Sequence, residues 1–227
     1  MQPDICYHFH YADGREETIA LCLDPENGEL LFDPDYIPPT WAALGFRQCS
    51  HCPLQEDELP HCPIARNIAW LFHERNMGAS HSPVALTVSS GQRTYQFDTT
   101  VQRALSSLFG LICSLSPCPH TLPLRPMGIF HLPLSTEMET LVRISSLFLL
   151  RSYLSHKDNP QLPVDLSDMS VTYENLAILN RGMAERLRAA SPSDAAVNAI
   201  ALLDVLVKDV RVELDSQLEL LKKMMGL

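Results

Sequence analysis

At Thr100 the apolar residues of this chain change period. Before it they alternate. "ICYHFHY" (5–11) and "ETIALCLD" (17–24) flank an Asp-Gly pair, and Val84, Leu86 and Val88 are followed by "SGQ" and then by Tyr95 and Phe97. Alternation between turn residues predicts antiparallel hairpins. After Thr100 the apolar residues recur every three or four positions, as Val101, Leu105, Leu108, Ile112 and Leu115 do, which is the period of a helix. A chain with period two in its first half and period 3.6 in its second is α+β, with N-terminal β-hairpins packed against a mainly helical C-terminal half.

Punctuation fills in the rest. Residues 1–40 read as a hairpin region with a short further strand at Leu30–Phe32, and 41–62 as a cysteine-bearing loop. Residues 63–98 hold a helix, opened by Pro63 and striped by Ile64, Ile68 and Leu71, and then the second hairpin. Residues 99–227 form the helical part of the same single domain. Inside it, 116–135 carries five prolines, which predicts an irregular loop, since each proline removes an amide donor. Thr136 and Glu139 have the spacing of a capping box at the start of the next helix. A further helix is expected over about 170–190, with Leu176, Leu179, Met183 and Leu187 on one face. A last one, over 193–225, repeats Leu203, Val207, Val210, Leu214, Leu218, Leu221 and Met225 in a heptad-like seam. That seam suits either packing inside the fold or a homodimer through 193–225.

A length of 227 residues, 46% of them apolar and 19% charged, is enough for a sizeable core. The net charge of −10 argues against nucleic acid and against an anionic membrane surface as partners. The opening residues lack the basic and apolar regions of a secretory signal, and the most apolar run, 141–154, is short and contains Arg143 and Arg151. A cytoplasmic protein is expected, with its seven cysteines reduced or bound to metal.

The cysteines carry the chemistry. Cys49 and Cys52 have the C-x2-C spacing that lets one tight turn aim two sulfurs at one ion. Cys62 stands before Pro63 at a helix start, where free amides favour a thiolate. The fourth ligand falls to Cys118 in "SPCPH". Four thiolates from two rigid loops suit Zn²⁺ in a closed tetrahedral site or a [4Fe–4S] cluster, and the spacing does not choose between them. His51, His61 and His131 stand as replacements for one cysteine or as its hydrogen-bonding neighbours. Cys6, Cys22 and Cys113 read as small core residues, and His8 and His10 as a polar strand face. Arg125 and His131, in the proline-rich segment, are candidates for tuning a bound metal or cluster from outside its ligand shell. There is no Walker loop, no G-x-G-x-x-G, no G-x-S-x-G and no H-E-x-x-H.

"QCSHCPL", "HCPIA", "SPCPH" and "RPMGIFHLPLS" together resemble an uncharacterised bacterial family, a domain of unknown function. The family pattern is C-x2-C-P-L, then H-C-P, S-G-C-P, R-P-M-x-x-F-H-L-P and a glutamate-threonine helix start. It falls here on Cys49, Cys52, Pro53 and Leu54, on His61, Cys62 and Pro63, and on Cys118 and Pro119. It continues over Arg125, Pro126, Met127, Phe130, His131 and Pro133 to Glu139 and Thr140. Pro117 stands where the pattern has glycine. The resemblance implies which residues act together and assigns them no activity.

Three classes of function follow. The first is a metal-centred protein in a structural, regulatory or redox-sensing role. The second is a thiol-dependent enzyme using Cys62 with a nearby histidine as base. The third is a metal-free module that binds a protein partner through the helical seam.

Overall fold

The computed structural model describes residues 3–31, 35–72, 75–190, 196–201, 203–204 and 219–227. It is an α+β fold, as the change of period predicts. Strands β1 (Ile5–Tyr11), β2 (Glu16–Leu21), β3 (Pro83–Ser90) and β4 (Arg93–Thr100) form one antiparallel sheet in the order β2-β1-β3-β4. Gly14 and Gly91 turn the two hairpins at φ +83° and +58°, a region open to glycine at little cost. The hairpins join because β1 pairs on both edges, with Tyr7 opposite Ile19 on one side and Val88 on the other.

Alternation decides which face is covered. Ile5, Tyr7, Phe9, Ile19, Leu86 and Val88 all point inward and are buried. His8 and His10 point the other way, to Thr18 Oγ1 and Glu16 Oε1. Helices α1 (Pro63–Phe72) and α2 (Val101–Leu115) pack on the inner face, and all five apolar residues that define the period of α2 are buried. Removing a side chain such as Leu108 from water contributes roughly 1.5–3 kcal/mol.

The proline-rich segment departs from the expected irregular loop. A 3-10 turn at Leu122–Leu124 leads into helix α3 (Arg125–Ile129). Pro123 and Pro126 sit in the first turns of these pieces, where a helix has no use for the missing amide. Gly128 lets α3 lie directly on α2, since a Cβ there would stand 2.7 Å from Leu115. The expected capping box is present: Thr136 Oγ1 accepts from the Glu139 amide and Glu139 Oε2 accepts from the Thr136 amide. It opens α4 (Glu137–Asp158), which pairs with α5 (Ser167–Ala190) around a second apolar cluster of Leu141, Ile144, Phe148, Met169 and Tyr173.

Of the C-terminal seam, Val207, Val210, Leu214 and Leu218 lie outside the described residues. Leu203 packs on the main core and Leu221 on the second cluster, both within the chain itself, while Met225 is exposed. No helix among the described residues is long and apolar enough to cross a membrane.

Candidate metal centre

The loop that carries Cys49 and Cys52 is closed by a short backbone ladder. Leu44 N–H donates to Pro60 O and Cys62 N–H to Ala42 O, both at 2.9 Å, with Ala43 opposite His61. Residues 45–59 therefore leave and return at one point. Within the loop, Cys52 N–H donates to Cys49 O at 3.0 Å, the tight turn expected of C-x2-C. Cys62 closes the ladder and caps α1 at the same time, its carbonyl accepting from Arg66 N–H.

The second loop arrives from the end of α2. Ser116, fully buried, receives a 2.7 Å hydrogen bond from Asn67 of α1 and donates to Ile112 O. Cys118 follows, folded inward by amide bonds from Thr121 and Leu122 to its carbonyl.

The two loops meet. Burial pushes the Cys118 thiol up to about 12, and the charges of Cys62, Cys49 and Cys52 add to the rise, against a hydrogen bond from the His120 amide. Burial likewise raises Cys49 to about 11, with further contributions from Cys62 and Cys52 and an opposing one from Arg186. Cys118 thus lies within electrostatic range of Cys62, Cys49 and Cys52. Cys113, in α2, is also raised, by burial first and then by Cys118 and Cys62, so this core cysteine lies beside the group. All seven cysteines are free thiols. Among the described residues no three His, Cys, Asp or Glu side chains stand in a ready-made ligating arrangement.

Two histidines weld the loops together. The rings of His51 and His120 stack with centroids 3.9 Å apart and planes 14° from parallel. His120 Nε2 lies 3.0 Å from His51 O, and His51 Nε2 lies 3.1 Å from Asn175 O on α5. A neutral ring bonded in this way carries its proton on Nε2, which leaves Nδ1 of His51 as a buried acceptor without a partner among the described residues. Burial and the neighbouring His120 lower the His51 pKa, against the pull of the Asn175 carbonyl.

Helix α5 is the platform beneath all of this. Besides Asn175, it presents Gly182, where a Cβ would come within 3.0 Å of Cys49 Sγ. It also presents Arg186, 1% exposed, whose guanidinium donates to the carbonyls of Trp41, Ala43 and Leu44 at 2.7–2.9 Å. Positions 175, 182 and 186 are spaced seven and four apart and share one helix face. Sequence reasoning missed all three. The available signals were a glycine in mid-helix, which costs about 1 kcal/mol relative to alanine, and an arginine interrupting an apolar stripe.

Arg125 and His131 have other partners. Arg125 Nη2 bonds Glu29 Oε1 at 2.9 Å and its Nη1 bonds Asn27 O. His131 Nε2 lies 2.5 Å from Tyr7 Oη, which in turn is 3.0 Å from Ser107 Oγ. Among the described residues no hydrogen bond links either side chain to a cysteine.

The chain belongs to a family described as Domain of unknown function (DUF6901), whose model matches residues 5–225. No curated protein and no solved structure matches it.

Proposed function

We propose that Cys49, Cys52, Cys62 and Cys118 hold a metal, Zn²⁺ or a [4Fe–4S] cluster, and that the centre clamps the sheet-side loop to the helical half of the chain. The observation that carries this reading is the reach of Cys118. Its loop, more than fifty residues downstream, reaches the first loop, where the ring of His120 stacks on that of His51 with centroids 3.9 Å apart.

Arg186 supports it. Four thiolates around Zn²⁺ leave a net double negative charge, as they do around an oxidised [4Fe–4S] core. Arg186 is a buried cation beside Cys49 with three carbonyl acceptors and no carboxylate partner among the described residues. A buried cation is stabilised by a nearby anion, and a thiolate centre supplies one. His51 and His120 add polar contacts at the rim, the position from which outer groups tune a metal's ligands.

Loading requires the sulfurs to turn inward and lose their protons. A change of χ1 at a cysteine moves Sγ by roughly 3 Å and leaves the backbone of its loop in place. With zinc the role is structural or regulatory; with a cluster it is redox sensing. Protein isolated without oxygen tells them apart. A visible charge-transfer band with acid-labile sulfide identifies the cluster, and a colourless protein with one zinc per chain identifies the zinc site. A folded, metal-free protein in which all four thiols alkylate freely overturns both.

A further inference from the structure

A cavity of about 390 Å³ lies between α2, the 124–135 segment, α4 and α5. Its walls are largely apolar, with Leu111, Ile144 and Leu176 among them, and its charged lining among the described residues consists of Arg103 and Arg143. No Asp or Glu is found among the described lining residues, although the chain carries 27 acidic residues against 17 basic ones. A half-open wall with guanidinium groups and no carboxylates among its described residues, in a protein of net charge −10, favours an anion.

Arg143 has donors to spare. Its Nη2 bonds the carbonyls of Phe130 at 2.6 Å and Met127 at 3.4 Å, while Nη1 and Nε have no hydrogen-bond partner among the described residues. Glu139, one turn earlier, is hydrogen-bonded in the capping box and faces Arg143 by charge alone. His131, beside Arg143, is held neutral by burial and by that arginine's charge, so it does not compete for an anion. Asn180 is 4% exposed and lines the same cavity.

We infer that this cavity binds a medium-chain organic carboxylate, with its carboxylate at a free donor of Arg143 and its apolar body along the α4 and α5 walls. A hydrogen bond from a guanidinium to a carboxylate is charge-assisted and stronger than one to a neutral oxygen. At the roughly 30 Å³ that one water molecule occupies in the liquid, the cavity has room for about thirteen waters, enough for a chain the size of decanoate. The inference stands independently of the metal centre.

Titration of the full-length protein with sodium decanoate, decanol and decyltrimethylammonium, followed by calorimetry and native mass spectrometry, tests it. The expected result is one decanoate per chain, bound at least about tenfold more tightly than decanol, with no binding of the ammonium probe. Arg143→Gln is expected to bring decanoate down to the affinity of decanol and to leave decanol unchanged. Should that variant not fold, the preference of the unaltered protein among the three probes decides. Equal affinity for decanol and decanoate, or no saturable binding up to about 1 mM, overturns the inference.

Discussion

Arg186 is where the fold and the proposed centre depend on the same atoms, and Arg186→Met separates their contributions. Methionine keeps much of the length and fills the apolar stripe, but it donates nothing. The carbonyls of Trp41, Ala43 and Leu44 then each lose a charged donor at 2.7–2.9 Å. Hydrogen bonds from charged donors contribute about 1.5–3 kcal/mol each, and three from one group are not additive, so a loss of about 3–5 kcal/mol is expected. In a chain of this length that lowers the melting temperature by roughly 10 °C. The assay is denaturant and thermal unfolding of the reduced, chelator-treated protein and of the metal-loaded protein. The loss should be greater in the loaded form, because there the guanidinium also faces the charge of the thiolates. Arg186→Lys should recover only part of it, since one ammonium cannot span three carbonyls spread over residues 41–44. If Arg186→Met unfolds within about 1 kcal/mol of the parent, the staple is not structural; if the loss is the same with and without metal, Arg186 is not the counter-charge.

Two further outcomes follow from single distances and environments. Gly182→Ala should leave the metal-free protein as stable as before or up to about 1 kcal/mol more stable, through helix propensity, while weakening metal binding about tenfold. The reason is that Cys49 Sγ, 3.0 Å from the new Cβ, can step back only when it is not a ligand; unchanged affinity in a chelator competition would refute this. For His131, burial and the charge of Arg143 hold the imidazole down to about 3 against an ordinary 6.5. The unfolded chain takes up this proton as pH falls below about 6.5 and the folded chain does so only near 3. The stabilisation is therefore complete above 6.5 and is lost across that window, by at most about 1.4 kcal/mol per pH unit. His131→Gln should flatten this part of the stability profile, and parallel profiles for variant and parent between pH 6.5 and 4 would count against it.

The hairpins, the capping box and the apolar stripes were legible because each is a local pattern: Tyr7 and Phe9 alternate within one strand, and Thr136 and Glu139 sit three residues apart. The four cysteines could be grouped because cysteine and proline are scarce enough for "CSHCP", "HCP" and "SPCP" to stand out. The prolines of 116–135 misled in a specific way. Proline excludes the middle of a helix but not its first turn, and Pro123 and Pro126 each sit at such a start. The platform on α5 was not legible at all. Asn175 contributes only a backbone carbonyl, Gly182 only an absence of side chain, and Arg186 reaches residues more than 140 positions away. The pairing of Tyr7 with His131 is of the same kind, set by how β1 and the segment after α3 meet in space. Only the assembled fold brings these together.

Cys118→Ser bears most directly on the proposed centre, because Cys118 is the one member of the four that lies outside the first loop. Metal and acid-labile sulfide per chain, measured on this variant and on its parent after the same oxygen-free isolation, decide the matter. The expected result is a stoichiometric metal in the parent and its loss in the variant, with Cys49, Cys52 and Cys62 then open to alkylation. Full metal content in Cys118→Ser, or none in the parent, would contradict a site shared between the two loops.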